Sequence, residues 1–347
     1  MKLGMTLGYW GKQPPEGAAE RMLEAERLGF DTVFTAESWG SDAFTPLAWW
    51  GSQTSRIRLG TSIVQISSRS PTSTAMHALT LDHLSGGRHV LGLGVSGPQV
   101  VEGWYGQPFG KPLARTREYV DVIRQVLARE GPVSNDGPHY PLPNNDHSNS
   151  LGLGKPLKPI VHPLRSDLPI WLGTEGPKNV ALTAEIADGW LPIYYAPRVA
   201  DMYNEWLDEG FARPGARRDR STFEIAANTS VVVTDDVASA VEAMRPNVAF
   251  YVGGMGAKEM NFHKNVFVRM GYEKEADEIQ NLFFEGKREE ATALVPDQMV
   301  QDINLIGPPA KIRDELAMWE EAGVTMLVVS GRSSEHMQLI AETVLDR

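Results

Sequence analysis

The sequence predicts a (β/α)8 barrel that carries one loop excursion and one helical insertion. Two observations support this: short apolar runs alternate with helical patterns along most of the chain, and no change of composition marks a linker between domains. Strands that alternate with helices form parallel sheets through right-handed crossovers, and eight such units close into a barrel. We therefore expect one domain over residues 1–347, since α/β barrels often exceed about 250 residues.

Each predicted strand is a short apolar run bounded by turn residues. The strands are expected at residues 2–9, 32–36, 57–64, 89–95, 169–174, 190–195, 225–233 and 326–329. The first predicted helix shows apolar residues at three- and four-residue spacing, and two of the predicted helices stop at Gly29 and Gly86. The helices are expected at residues 18–28, 47–50, 71–84, 113–128, 177–187, 199–209, 237–244 and 310–322.

Two segments interrupt this alternation. Residues 131–168 are rich in proline, glycine and asparagine and lack periodicity, which predicts a short hairpin at 133–142 and then a long irregular loop. Such a loop is typically a functional lid or a disordered segment. Residues 246–306 are expected to form an extra helical block before the last strand.

The composition narrows the chemistry. The chain has no cysteine, which excludes disulfides, thiol nucleophiles and Cys-ligated zinc or iron–sulfur sites, so redox chemistry would need an organic cofactor or a non-thiol metal. The net charge of −11 disfavours a nucleic-acid partner, because neutralising phosphates needs clustered Lys and Arg. The N-terminus does not resemble a signal peptide, and no apolar stretch approaches about 18 residues. We therefore expect a cytoplasmic enzyme without a membrane partner.

In such a barrel, functional side chains lie at the carboxyl ends of the strands. The second strand is followed by Glu37, Ser38 and Trp39, which place a carboxylate, a hydroxyl and an indole side by side. We expect a site role for Glu37 or Ser38, and an ion pair between Glu37 and an arginine is the alternative. Asp42, a few residues on, is suited to cap the next helix.

The segment Gly-Leu-Gly-Val-Ser-Gly at 92–97 matches the dinucleotide pattern GxGxxG. It follows the fourth predicted strand rather than the first, Pro98 comes next, and no clear acidic residue lies about 20 positions further on. We therefore favour glycines that let a ligand approach the backbone at a strand end, with a nucleotide-binding fold as the alternative.

Thr174, Glu175 and Gly176 lead from the fifth predicted strand into a helix. Free backbone N–H groups and the positive end of a helix suit an anion there, and Thr174 adds a hydroxyl. Glu175 would repel a phosphate unless its side chain points away. A plain helix cap is the alternative interpretation.

The eight histidines form no close metal-binding pair, so no metal site is expected. Three of them, His139, His147 and His162, fall in the long loop, where a lid role and simple exposure are both open. Several aromatic residues lie near predicted strand ends, among them Trp10 and Tyr194. They suit either barrel packing or a planar ligand.

Five segments carry a further signal. They are KLGMTLGYWG, GFDTVFTAESWGSDAFTPLAWWG, RIRLGTSIVQISSRSPTSTAMHALTLDHLSGGRHVLGLGVSGPQVVEGWYG, PIWLGTEGPKNVALTAEIADGWLP and GPPAKIRDELAMWEEAGVTMLVV. Together they resemble the luciferase-like monooxygenase superfamily, and most closely its actinobacterial branch that depends on the deazaflavin coenzyme F420. The LDHLSGGRHVLGLG block is the most specific to the superfamily, whereas AESWGSDAFTPLAWWG and SGPQVVEGWYG point to the deazaflavin branch.

The resemblance implies a (β/α)8 barrel with the cofactor ring over its mouth and a cis peptide bond between Ser62 and Ile63 behind the ring. It also implies a phosphate site at the loop after the fifth strand, in agreement with the anion site suggested above. The implied cofactor-binding residues are Ser62, Ile63, Val95, Ser96, Gly97, Gly173, Thr174, Glu175 and Gly176.

The chain departs from this branch at one position that matters for catalysis. Well-known dehydrogenases of the branch carry an Asp-His pair after the second strand, where this chain has Glu37-Ser38. A histidine base is therefore missing there, and oxidation of a sugar phosphate is not expected. A glutamate that one such enzyme carries after the fourth strand falls near Gly97 or Glu102. The catalytic candidates are Glu37, Ser38 and Trp39, with a lid histidine as an alternative proton donor.

We thus expect a homodimeric F420-dependent oxidoreductase that moves a hydride between the deazaflavin C5 and an unidentified, fairly apolar small molecule. The alternatives are an FMN-dependent luciferase-like monooxygenase and a non-catalytic flavin- or deazaflavin-binding barrel. An anionic coenzyme on a chain of net charge −11 needs local positive charge, which we expect from helix N-termini and residues such as Lys178.

Overall fold

The computed structural model describes residues 1–145 and 149–345. The strands in these ranges are β1 (Lys2–Thr6), β2 (Thr32–Thr35), β3 (Arg58–Thr61), β4 (Val64–Gln65), β5 (His89–Gly94), β6 (Ile170–Gly173), β7 (Gly189–Trp190), β8 (Glu224–Asn228), β9 (Val231–Val233), β10 (Leu305–Gly307) and β11 (Met326–Ser330). The α-helices are α1 (Ala18–Arg27), α2 (Phe44–Gly51), α3 (Pro71–Ser85), α4 (Pro98–Gly103), α5 (Pro112–Ala128), α6 (Pro177–Ile186), α7 (Ala200–Phe211), α8 (Val237–Gly253), α9 (Phe262–Arg269), α10 (Glu273–Phe284), α11 (Arg288–Ala293), α12 (Asp297–Gln301), α13 (Pro309–Glu321) and α14 (Ser334–Val344), and a short 3-10 turn covers Pro197–Val199. None of these helices is long and apolar enough to cross a membrane.

Eight of the described strands pair in parallel and close into a barrel, which confirms the predicted fold class. Their order around the barrel is β1, β2, β3, β5, β6, β7, β8 and β11, and β11 pairs with β1. The short strand β4 follows β3 after a two-residue interruption and pairs with the end of β5. Because all eight strands run the same way, their carboxyl ends form one mouth.

Large side chains fill the barrel interior. The rings of Phe34 on β2 and Trp171 on β6 meet with centroids 6.0 Å apart, and both side chains are buried. Gly60 on β3 makes room for Phe34, since a Cβ at Gly60 would lie 2.5 Å from the Phe34 ring. The interior is therefore packed, and a ligand has to bind at an end of the barrel.

The helix α3 shows how local sequence sets the bounds of an element. Its first turn begins at Pro71, whose missing N–H costs nothing there, and the hydroxyl of Ser70 accepts a hydrogen bond from the amide of Ser73 at 3.2 Å. Its end is marked by Gly86 in the left-handed conformation, with φ of 67°. The predicted helix at 71–84 is confirmed within one residue.

Several predicted bounds were wrong. Only Gly189–Trp190 form β7, whereas a strand was expected over 190–195. The expected strand at 225–233 is two strands: β8 stays in the barrel, and β9 leaves it to pair with β10, which was not predicted. The helices α4 and α14 were also missed. An unbroken apolar pattern does not reveal where a chain changes its pairing partner.

The loop excursion is less regular than predicted. Asn135 bridges to Leu142, as a hairpin over 133–142 requires, but Val133 bridges to Leu157 instead. The described residues between α5 and β6 contain no longer strand and no helix. His147, a lid candidate, lies outside the described residues.

The helical insertion comprises α8 to α12, between β9 and β10. The expected boundary at residue 246 is wrong, because α8 continues through Pro246 to Gly253. The buried faces of the insertion form their own apolar cluster, which includes Val252 and Phe267 and also takes in Tyr194 from the loop after β7. The insertion therefore packs against the mouth of the barrel.

Candidate active site at the barrel mouth

The four predicted site segments all lie at the mouth. Segment 37–39 follows β2, segment 62–63 follows β3, segment 95–97 follows β5, and segment 173–176 runs from the end of β6 to the start of α6. The strands β2, β3, β5 and β6 are successive neighbours in the barrel. The structure thus brings the predicted residues together in one half of the mouth.

The side chain of Ile63 forms an apolar surface in this half. The Ser62–Ile63 peptide bond is cis, as the resemblance implies, and the Ser62 amide donates to the Thr35 carbonyl at 2.8 Å. A Cβ on Gly94 would lie 2.9 Å from Ile63 Cδ1, and a Cβ on Gly173 would lie 3.0 Å from its Cγ2. Only glycine at these two strand ends lets Ile63 lie against them. We call Ile63, Gly94 and Gly173 the floor.

The segment 95–97 turns away from the barrel at the edge of the floor. Val95, Ser96 and Gly97 are each half-buried. Ser96 has a left-handed backbone with φ of 62°, which is uncommon for a residue other than glycine and is often found at ligand sites. Gly97 is extended and leads directly into α4.

Glu37 is buried in an ion pair, whereas Ser38 and Trp39 are accessible. The Glu37 carboxylate accepts hydrogen bonds from Nη1 of Arg69 at 2.7 and 3.0 Å, and its side chain is only 3% exposed. Gln65 Nε2 donates to the Glu37 carbonyl at 3.1 Å. Trp39 is 57% exposed, and Ser38 is half-buried. The ion pair considered as the alternative for Glu37 is therefore formed, and Ser38 and Trp39 remain accessible to a ligand.

The loop after β6 is partly closed by its own hydrogen bonds. The Thr174 hydroxyl lies 2.9 Å from that of Thr183, which itself donates to the Asn179 carbonyl at 2.8 Å, so the Thr174 proton points to Thr183. Trp190 Nε1 donates to the Thr174 carbonyl at 2.9 Å. At Gly176 the backbone is open, because a Cβ there would meet no described atom within 4 Å.

The carboxylate of Glu175 is turned toward the helical insertion. Its Oε1 lies 2.6 Å from Nδ1 of His263 on α9, and Arg269 at the end of α9 donates to the Glu175 carbonyl at 3.4 Å. These partners lie 88 and 94 residues further along the chain, so no local pattern could have indicated them. Arg269 therefore places a positive charge close to the open backbone at Gly176. Because the net charge of the chain is −11, an anionic ligand would need such a local positive charge.

Tyr194 joins the mouth to the insertion. It follows β7, has a left-handed backbone with φ of 59°, and is 8% exposed. The centroid of its ring lies 5.3 Å from that of Tyr251, 6.1 Å from that of His263 and 5.1 Å from that of Phe267. Burial raises the pKa of Tyr194 well above its ordinary value. Its hydroxyl therefore keeps its proton at neutral pH.

A cavity of about 220 Å³ occupies the other half of the mouth, beneath α8. We call it the α8 cavity. It is lined by residues at the ends of β1, β8 and β11, by the segments after β7 and before β10 and by α8, and none of these lining residues is an Asp, Glu, Lys, Arg or His. Its hydrogen-bonding side chains include those of Thr6, Asn228, Ser230, Asn247, Tyr251 and Ser330.

The two described loop histidines are placed differently. The carbonyl of His162 lies 2.8 Å from Nε2 of His83 in the last turn of α3, at the amino end of the barrel, which argues against a lid role for His162. The amide of His139 donates to Glu118 of α5. Its lid role stays a prediction.

The model of the luciferase-like monooxygenase family matches residues 3–326, from the first barrel strand to the last. The chain belongs to this family. The family inferred from the strand-end motifs is thereby confirmed. Membership agrees with the parallel barrel and with the position of the site at its mouth.

Two curated relatives and one solved structure match this luciferase-like chain over nearly its whole length. It is 63% identical over 344 residues, 99% of each chain, to a Mycobacterium tuberculosis protein named "Putative coenzyme F420-dependent oxidoreductase". It is 30% identical over 328 residues, 93% of each chain, to the 5,10-methylenetetrahydromethanopterin reductase of Archaeoglobus fulgidus. The structure of the coenzyme F420 dependent tetrahydromethanopterin reductase from Methanopyrus kandleri superposes with a TM-score of 0.81 at 26% identity, covering 99% of this chain and 98% of that one.

Proposed function

We propose that this protein is a coenzyme F420-dependent oxidoreductase that transfers a hydride between C5 of the deazaflavin and a small organic substrate. The observation that carries the proposal is the 63% identity, over 99% of both chains, to a protein named for that activity. The mouth of the barrel supports it, because the residues there suit a planar, anionic cofactor.

The fit rests on two places in the structure. The floor offers an apolar surface, formed by Ile63 against two glycines, for one face of a planar ring. The open backbone at Gly176 caps the start of α6. Arg269 donates to the carbonyl of the neighbouring Glu175, and the exposed Lys178 follows Gly176 by two residues. A helix start with positive charge close by suits a phosphate. Ser96 and Gly97 border the floor on its other side.

A bound deazaflavin supplies the site that gives or accepts the hydride, and the protein positions the reactants. In this assignment Ser38 and Trp39 contact the ligands at the edge of the mouth. Glu37 is a positioning residue, because its contacts with Arg69 and Gln65 hold the segment after β2 against β4.

The test is a titration of the purified protein with F420 and, separately, with FMN, followed by fluorescence. We expect saturable binding of F420 and no binding of FMN at the same concentrations. Binding of FMN alone would contradict the proposal and favour the monooxygenase alternative. Binding of F420 without hydride transfer to a broad panel of carbonyl compounds, alcohols and enones would favour a non-catalytic barrel.

A further inference from the structure

We propose that His263, oriented by Glu175, exchanges a proton with the oxygen of the substrate, and that this substrate is an uncharged carbonyl compound or its alcohol bound in the α8 cavity. The inference rests on the proposed function, since it needs a deazaflavin at the floor. It assigns a catalytic role to a residue of the helical insertion and a chemical class to the substrate.

His263 is held firmly by its own helix. It is the second residue of α9, and the preceding Asn261 caps that helix by accepting a hydrogen bond from the amide of Lys264 at 2.9 Å. The same Asn261 is buried, and its Nδ2 donates to the carbonyls of Tyr251 and Val252 at the end of α8. The backbone of His263 is therefore tied to both helices that meet the mouth.

Glu175 determines which ring nitrogen of His263 is available. The 2.6 Å contact joins Nδ1 to the Glu175 carboxylate, so Nδ1 carries a proton and donates it. Nε2 has no hydrogen-bond partner among residues 1–145 and 149–345. An imidazole held by a carboxylate at one nitrogen and free at the other is the arrangement that proton-transfer histidines use.

His263 lies where the two halves of the mouth meet. Its partner Glu175 is two residues beyond Gly173 of the floor. Its ring also contacts those of Tyr194 and Tyr251, at centroid distances of 6.1 and 5.2 Å, and both tyrosines line the α8 cavity. His263 does not itself line the cavity, so we place the substrate oxygen at the edge of the cavity, beside these two tyrosines and next to the His263 ring.

The surroundings of His263 leave few other groups to move the proton. Among the described residues, its ring contacts the side chains of Glu175 from the loop after β6, Tyr194 from the loop after β7 and Tyr251 from α8, and Tyr9 lies near both tyrosines. Arg269 reaches the Glu175 carbonyl. Burial raises the pKa of Tyr251 as well as that of Tyr194, so both hydroxyls keep their protons at neutral pH.

The cavity lining indicates the substrate class. Its side chains offer hydroxyl and amide groups but no formal charge, so an ionised substrate would be desolvated there without a counter-ion, which is costly. The volume of about 220 Å³ corresponds to roughly seven waters at about 30 Å³ each. A small uncharged molecule with a carbonyl or hydroxyl oxygen meets both conditions.

The chemistry balances with one hydride and one proton. In the reductive direction the carbonyl carbon accepts a hydride from the reduced deazaflavin, and the C=O π electrons stay on oxygen. That oxygen takes a proton from Nε2 of protonated His263, which gives the alcohol, the oxidised deazaflavin and neutral His263. Solvent then returns a proton to His263, whose side chain is 25% exposed. Alcohol oxidation follows the same steps in reverse.

The test compares wild type with His263→Gln, Glu175→Gln and the control His83→Gln, which changes a histidine at the opposite end of the barrel. Each protein is first titrated with F420, and then assayed for oxidation of reduced F420 with cyclohexanone, benzaldehyde and pyruvate as probes. We expect His263→Gln to bind F420 within about two-fold of wild type and to lose about 100-fold or more in kcat. We expect Glu175→Gln to lose less and His83→Gln to match wild type.

The pH profile separates proton transfer from a structural role. Because the reductive step takes a proton from His263, kcat/KM of wild type should fall as pH rises, and this pH dependence should be lost in His263→Gln. Turnover of cyclohexanone or benzaldehyde, and not of the anionic pyruvate, is expected.

Three results would overturn the inference while the proposed function stands: equal kcat in wild type and His263→Gln, loss of F420 binding in His263→Gln, or preference for pyruvate. Failure of wild type to bind F420 would instead contradict the proposed function itself. If F420 binds but no probe is turned over, nitrogen-15 NMR of histidine-labelled holoenzyme decides. An Nε2 signal that shifts on adding cyclohexanone supports the inference, and one that does not shift contradicts it.

Discussion

At the amino end of the barrel one buried carboxylate is surrounded by three arginines, whereas the α8 cavity at the carboxyl end is lined by neutral groups. Asp188, just before β7, accepts hydrogen bonds from Arg217 and Arg218 at 2.7 Å each and also pairs with Arg124. Asp188 is 4% exposed. Its Oδ2 also accepts the amide of Ile170 at 2.8 Å, which ties β6 to the start of β7.

The difference separates the groups that maintain the fold from those that meet a ligand. Buried charges are tolerated when they are completely paired, and at the amino end the pairing is made within the protein. The mouth has its own carboxylates, the buried Glu37 and the half-buried Glu175, and each has a basic side chain as its single charged or titratable contact, Arg69 or His263. The polar side chains that line the α8 cavity are neutral and can be satisfied by a ligand.

The largest loss of stability is expected from Asp188→Asn, at the amino end of the barrel. The amide would remove the carboxylate that pairs with Arg124, while Arg217 and Arg218 would each keep an ion pair with Asp167. Because Arg124 would then be largely buried without a counter-ion, we expect the free energy of unfolding to fall by about 3–5 kcal/mol. F420 affinity of the folded protein should be unchanged. Urea unfolding and F420 titration measure the two quantities.

The matched control for that variant is Asp208→Asn, which removes an exposed ion pair with Arg220. We expect it to cost less than about 1 kcal/mol. A similar loss in both variants, or weaker F420 binding in Asp188→Asn, would show that the amino end does not have the separate structural role described above.

An intermediate effect on the free energy of unfolding is expected when the pH is lowered, because of His89 at the start of β5. Burial lowers the pKa of His89 to about 4 from the usual 6.5, although its Nδ1 is 2.7 Å from the Leu59 carbonyl. The unfolded chain therefore binds this proton first, and stability is lost as pH falls from 6.5 toward 4, by about 3 kcal/mol in all.

The variant that tests this is His89→Gln, with the exposed His83→Gln as control. Urea unfolding at several pH values between 7 and 4 should show a shallower acid loss of stability in His89→Gln than in wild type, while His83→Gln keeps the wild-type slope. Parallel slopes in all three proteins would show that His89 does not contribute to acid sensitivity.

The smallest effect on stability, but a direct one on the mouth, is expected from Gly94→Ala. The new Cβ would lie 2.9 Å from two side-chain carbons of Ile63, so Ile63 has to leave the floor. We expect a loss of about 1–3 kcal/mol in the free energy of unfolding and about ten-fold weaker F420 binding. Gly131→Ala is the control, because its Cβ would meet no described atom within 4 Å. Unchanged F420 affinity in Gly94→Ala would contradict the role given to the floor.

Periodicity and turn residues predicted most of the barrel because they are local properties of the chain. The helix α3, for example, is bounded by Ser70 and Gly86, both recognisable from the sequence. The place where β9 leaves the barrel was missed, because Val231–Val233 read as a continuation of β8 and their partner β10 lies more than 70 residues away.

The candidate site likewise has one part that the sequence predicted and another part that it did not. The sequence by itself determined the strand ends, and parallel strands necessarily bring their carboxyl ends together, so the segments around Glu37, Ile63, Ser96 and Gly173 could be predicted as neighbours. Only the tertiary structure decided that Glu37 pairs with Arg69, and that the insertion presents His263 to Glu175 across 88 residues. Those contacts depend on how distant segments pack, which no spacing within a single element encodes.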